Sequence, residues 1–263
     1  MSILRLVDPQ QFYESILDVK TPKAHDPSDI KTIRKWTKRV VRRQKEKMEY
    51  DQMGIFSIFS SDLLTANVRS GPWSIELIDW LNNEVIELSS LPSRKQIQSK
   101  LKRMRYRFPP RGARKIEEVA GVFLDKFNGD WSQYFRKARN YPYTEDPFLD
   151  VYHVARKTRD LAVSNFVLEY PTIDVHVARV LRRSGLVCHC YGLGIELKTS
   201  ERDGYEELSQ LCVELSRQIS VKPVQLDRAL WHFGRSVCSS KPKCDKCPAT
   251  SICMYYPLTW TAL

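Results

Sequence analysis

The segment Tyr170-Pro-Thr-Ile-Asp-Val-His-Val-Ala-Arg-Val180 decides how this chain is read. Asp174 is followed by a helical pattern. A helix over about 174–184 is therefore predicted, with Asp174 as the N-cap that accepts hydrogen bonds from its first free N–H groups. Upstream stands Val151-Tyr-His-Val-Ala-Arg-Lys-Thr158, and downstream Leu230-Trp-His-Phe-Gly-Arg235. A cysteine run follows at once: Cys238-x5-Cys244-x2-Cys247-x5-Cys253.

Four thiolates in so short a loop can wrap one inorganic centre, and zinc and iron–sulfur are the candidates. Structural zinc usually takes two CxxC-like pairs set apart by a longer stretch. Here only the middle pair has that spacing, and the near-symmetric loop better suits a cubane [4Fe-4S] cluster. Lys241, Lys243 and Lys246 give the loop a positive face. The chain has seven cysteines, an odd number. The start, Met1 to Asp8, lacks the apolar run of a secretory signal. A disulfide framework is therefore not expected. Cys188, His189 and Cys190 form a weaker grouping that reads as ordinary packing, and Cys212 reads as core.

The 263 residues carry a formal charge of +11 and are 42% hydrophobic. That composition affords a real core and argues against wholesale disorder. The length allows one large domain or two ordinary ones. No apolar run approaches the roughly 18 residues of a membrane helix. The expectation is a protein of the cytosol or nucleoid with no membrane partner. The positive excess fits a polyanion, and it is unevenly spread. After a helix-start signal at Asp26-Pro27-Ser28-Asp29, residues Ile30, Ile33, Trp36, Val40 and Val41 mark one helical face. The other face, from Lys31 to Lys47, is basic, which suits either solvent or DNA. Residues 94–115 are the most lopsided, with ten basic side chains and no acidic one. Arg105, Tyr106, Arg107 and Phe108 alternate there, and Pro109-Pro110 with Gly112 predict a loop. Basic residues interleaved with aromatics suit a surface that holds phosphates and pushes a ring toward bases. Further helices are predicted near 55–66, 73–81, 153–168, 201–218 and 223–236, and another helix with its exit over 116–139. No stretch alternates with period two for long, so the class is all-α.

Taken in order, these motifs resemble the helix-hairpin-helix DNA glycosylases, and most closely the endonuclease III branch. That branch carries a Leu-Pro-Gly-Val-Gly-Arg-Lys-Thr hairpin, a Val-Asp-Thr-His-Val-x-Arg-Val segment, a Gly-Arg helix and a four-cysteine cluster loop. The resemblance covers roughly residues 55–256. It implies two helical lobes with a DNA-binding cleft between them. Residues 53–165 would form the hairpin lobe and 166–263 the cluster lobe, with the extension 1–52 packing on the latter. By position, Lys157 falls on the catalytic lysine and Asp174 on the catalytic aspartate, facing each other across the cleft. Cys238, Cys244, Cys247 and Cys253 fall on the ligands of a [4Fe-4S] cofactor.

The chemistry suits these residue types. Cleaving an N-glycosidic bond develops positive charge on the sugar, which a carboxylate at Asp174 can stabilise. The amine of Lys157, neutral part of the time if buried, can attack C1′ and form a Schiff base. Read without the resemblance, Asp174 is a helix cap and Lys157 a surface phosphate contact. His153 and Ala155 stand where the hairpin has glycines, and Tyr152 where it has proline. DNA is then held either by the basic segments or by a hairpin of another shape, with His153, Ala155 and Arg156 as its contacts. Leu63 and Leu64 fall near the residue that fills the gap of an extruded base. Tyr106 falls near a second wedge that stacks on the orphaned partner. Asp62, in the same loop as Leu63, reads as a base-pocket acceptor or a helix cap. Arg105, Arg107 and Lys243 are expected phosphate contacts. The function these residues imply is a base-excision DNA glycosylase, bifunctional with AP lyase activity. Such an enzyme acts as a monomer on double-stranded DNA containing a damaged, mismatched or modified base. A water-using monofunctional glycosylase, a non-catalytic damage-binding module and a redox-responsive binder are the alternatives.

Overall fold

A computed structural model describes residues 7–21, 32–65, 71–85, 87–187 and 202–256. Among them run α1 (Pro9–Ile16), α2 (Ile33–Met48), α3 (Gln52–Leu64), α4 (Pro72–Glu84), α5 (Arg94–Arg103) and α6 (Pro109–Phe127). They are followed by α7 (Trp131–Ala138), α8 (Arg156–Val163), α9 (Val175–Ser184), α10 (Arg202–Gln218) and α11 (Pro223–Ser236). The described residues hold no strand, and their pairing of β type is an isolated bridge between Lys20 and Thr32. The all-α reading holds. The helix start at Asp26–Asp29 and the Cys188–Cys190 grouping lie outside the described residues.

Three boundaries differ from expectation, one of them that of α8, expected over 153–168 and found at Arg156–Val163. Pro109, Pro110 and Gly112 form no loop: they open α6, with proline in its first turn and Phe108 as N-cap. Proline at that position loses no helical hydrogen bond and brings a helix-ready φ. Gly112 then serves packing, because a Cβ there would lie 2.8 Å from both Leu101 and Tyr106. The helix and exit expected over 116–139 are two helices, since Asn128 ends α6 in the left-handed region at φ 50. Asp130 caps α7 by accepting from Ser132 N at 2.8 Å.

The chain divides into two compact units, residues 1–42 with 168–263, and residues 43–167. The dividing points lie within α2 and just after α8. In the unit of residues 43–167 an aromatic core forms around Trp131. Its ring stacks on Phe123 at 4.2 Å and lies 4.8 Å from Phe59. Phe148 sits 4.8 Å from Phe59 on another side. Beside this core Arg159 is buried between Asp146 and Asp160, each at 2.6 Å, and Tyr134 donates to Asp146 at 2.8 Å. In the other unit Phe12, Leu181, Leu208, Leu230 and Phe233 join α1, α9, α10 and α11 in one core that includes Cys212. Gly234 brings α11 close to α9, because a Cβ there would lie 2.8 Å from the carbonyl oxygen of His176.

Candidate functional site

Asp174 is partly exposed at the head of α9. Its Oδ1 accepts from His176 N at 2.8 Å and from Val177 N at 3.0 Å, so the capping role read from sequence is present. Its Oδ2 accepts from the indole N–H of Trp231 at 3.0 Å. The chain leading into Asp174 is anchored as well: Thr172 N donates to the buried carboxylate of Asp227 at 3.0 Å. Three N–H donors therefore fix the carboxylate's direction. Nearby, the Arg179 guanidinium lies 3.3 Å from His176 Nδ1. His232 is buried between Trp36, stacked at 4.8 Å, and the edge of Trp231 at 4.8 Å. Burial, helped by the charges of Arg228 and Arg235, pushes its pKa down to about 3, so it is a neutral packing element.

The segment expected as the hairpin, Val151–Thr158, belongs to the other unit and turns at Tyr152 and His153 without a glycine. His153 occupies the left-handed region at φ 54. Histidine tolerates that region better than β-branched residues do. Three side chains of α6 hold the turn. Lys115 Nζ donates to His153 O at 3.2 Å and to Leu63 O at 3.0 Å. Glu118 accepts from Tyr152 N at 2.6 Å. The Arg114 guanidinium lies 3.9 Å from the centre of the Tyr152 ring and bonds Glu118 at 2.6 Å. Lys115 is 5% exposed, and burial pushes its pKa down to about 8. Ala155 caps α8 with no side-chain bond, and the first turn closes on its carbonyl oxygen, which accepts from Thr158 N at 2.9 Å. His153, Ala155 and Lys157 are exposed and Arg156 half-buried around that end. The expected burial of Lys157 is not found.

The wedge residues differ from expectation. Leu63 and Leu64 have no exposed surface and Tyr106 is 6% exposed. Tyr106 donates to Leu64 O at 3.1 Å and packs 4.8 Å from Trp73, and burial raises its pKa to about 12. All three fill the core of their unit, because the end of α3 faces α6 and its apolar side chains point inward. Asp62 neither caps a helix start nor stands open: it accepts a hydrogen bond from the Asn165 amide. Phe108, the other aromatic of the basic run, is half-buried rather than core. It lies at the head of α6, with the guanidinium groups of Arg107 and Arg111 at 5.0 and 5.4 Å from its ring. The proline pair opens α6 and leaves Phe108 as its N-cap, just outside the first turn. Arg105 and Arg107 are exposed, and Arg105 ends α5 in the left-handed region at φ 58.

Cys238, Cys244, Cys247 and Cys253 line one pocket together with Phe12, Val180, Phe233 and Tyr255. Arg183 braces the loop by donating to Ser239 O at 2.6 Å and Ser240 O at 3.3 Å, and lies 4.0 Å from Cys238 Sγ. Cys253 Sγ donates to Arg183 O at 3.5 Å. Burial pushes the Cys238 and Cys244 thiols up, and Cys247 up to about 11. The donor set and apolar lining suit an iron–sulfur cluster in kind. Among the described residues, however, no three His, Cys, Asp or Glu side chains are gathered closely enough to hold a metal ion. Lys241, Lys243 and Lys246 are exposed on this loop.

No family model and no curated protein matches the chain. Solved structures do match. An endonuclease III–DNA covalent intermediate aligns with a TM-score of 0.53 at 17% identity, covering 87% of this chain and 99% of that one. A thermostable thymine-DNA glycosylase aligns with a TM-score of 0.54 at 16% identity, covering 86% and 97%. The Methanocaldococcus jannaschii 8-oxoguanine glycosylase/lyase, in complex with DNA containing 8-oxoguanine, aligns with a TM-score of 0.57 at 17% identity, covering 85% and 96%. The chain thus has the all-α helix-hairpin-helix glycosylase fold, and at such identities the likeness is one of fold.

Proposed function

We propose that this protein is a base-excision DNA glycosylase acting as a monomer on double-stranded DNA that contains a damaged, mismatched or modified base. The observation that carries the reading is Asp174, a partly exposed carboxylate aimed by three N–H donors at the head of α9. Held so, it can stabilise the positive charge that grows on deoxyribose as the N-glycosidic bond breaks. The glycosylases among the fold relatives support the same reading. Phosphates would be gripped by Arg105, Arg107 and Lys243 and by the residues His153, Ala155 and Arg156 at the head of α8, and Phe108 would stack on an unpaired base.

The finer proposal is AP lyase activity through Lys157. Its amine attacks C1′ as the base departs, ring opening yields a Schiff base, and loss of the C2′ proton expels the 3′ phosphate. One observation favours a second reading, a monofunctional glycosylase that uses water: Lys157 is exposed. A panel of single-lesion duplexes, scored separately for base release and for nicking, tests both. Borohydride trapping that disappears in Lys157→Ala supports the lyase. Base release without trapping supports the water route, and tight binding with no release on any lesion overturns the glycosylase.

A [4Fe-4S] cluster on Cys238, Cys244, Cys247 and Cys253 belongs to the proposal. When bound, it would fold the loop and present Lys241, Lys243 and Lys246 to phosphates. Iron and acid-labile sulfide in the purified protein support it, and stoichiometric zinc in their place refutes it.

A further inference from the structure

We infer that Trp231 is the positioning residue of Asp174, an inference that rests on the glycosylase reading of that carboxylate. The two oxygens of Asp174 are held differently. Oδ1 is held by backbone N–H groups that any capping aspartate would find, at His176 and Val177. Oδ2 is held by a side chain from another helix, the indole N–H of Trp231 at 3.0 Å. Without that bond the carboxylate keeps its cap but can turn about its Cβ–Cγ axis. With it, the plane of the group is set.

The neighbours of Trp231 make this bond a fixed one. His232 meets the indole edge-on at 4.8 Å and is itself stacked on Trp36. The Arg235 guanidinium lies 4.5 Å from the indole centre. Gly234 lies three residues on, on the same face of α11, where a Cβ would lie 2.8 Å from His176 O. A small residue there brings α11 near enough for Trp231 to reach the α9 cap. Trp231 touches no reacting atom in this account and acts through Asp174 alone. An indole has one donor and no acceptor, so it suits a group that must stay an acceptor.

Trp231→Phe tests this, since the ring that packs on His232 and Arg235 is retained while the donor is lost. The expected result on a cleavable lesion duplex is a single-turnover base-release rate down about tenfold. Binding of an abasic-site analogue duplex should stay within twofold. In an Asp174→Asn background the same substitution should change the residual rate less than twofold, because the two residues act as one unit. An unchanged rate in Trp231→Phe, or the same tenfold loss in both backgrounds, overturns the inference. The contact is also read without activity, from the indole N–H proton resonance that Trp231→Phe removes. That resonance should move in Asp174→Asn, and a resonance that stays put refutes the contact. Wild-type protein that releases no base from any lesion would sink the glycosylase reading instead, and the indole resonance would still decide the contact.

Discussion

Lys115 shows what one residue does when its charge is taken out of water. The residue is 5% exposed, its amine is bonded to two backbone carbonyls, and burial lowers its pKa from 10.5 to about 8. Because the folded value lies below the unfolded one, the unfolded chain binds more protons between about pH 8 and 10.5. Stability from this group should therefore be least below pH 8 and rise as pH climbs through that window, by about 3 kcal/mol in all. Urea unfolding of wild type and Lys115→Met at pH 7, 9 and 10 checks this. The wild type should gain on the variant as pH rises, and a constant difference would refute it. Nothing in the sequence marks Lys115 among its nine basic neighbours in residues 94–115. Its burial follows from its place beside the apolar stripe of Ile116, Val119 and Phe123, all fully buried.

At the scale of elements, the turn before α8 shows how a left-handed position is held without glycine. Glycine is the default where φ is positive, yet His153 holds φ 54. The turn is held from outside by Lys115 and Glu118 of α6, with Arg114 packed on Tyr152. A β-branched residue there should cost more than histidine does. His153→Val is expected to destabilise by about 1–2 kcal/mol, while His153→Gly should be neutral or mildly stabilising, both read from urea midpoints. Equal stability of the valine variant would show that the turn is not held in the left-handed region. The helices themselves were legible: α9 begins at its expected cap, and α3, α4, α10 and α11 lie close to their expected ranges. The head of α6 was misread because proline marks both loops and helix starts, and only the helix phase distinguishes them.

For the whole molecule, the charge of +11 bears on binding. If Arg105, Arg107 and Lys243 each neutralise a phosphate, affinity for undamaged duplex should fall steeply with salt. Each change to alanine should lower the slope of log K against log salt by about one and weaken binding on all sequences alike. Fluorescence anisotropy across a salt series measures it, and an unchanged slope would remove that residue from the interface.

The amino-acid order by itself determined the all-α class, the helix that Asp174 caps and the run of four cysteines. These follow from periodicity, capping chemistry and spacing, which act over a few residues along the chain. Tertiary structure alone decided which side chains reach solvent. Leu63, Leu64 and Tyr106 went inward and Phe108 stayed half-buried. Trp231 met Asp174 across 57 residues of chain, and the hairpin acquired supports from α6. Burial and long-range contact depend on what distant segments bring to a place, and no local pattern carries that.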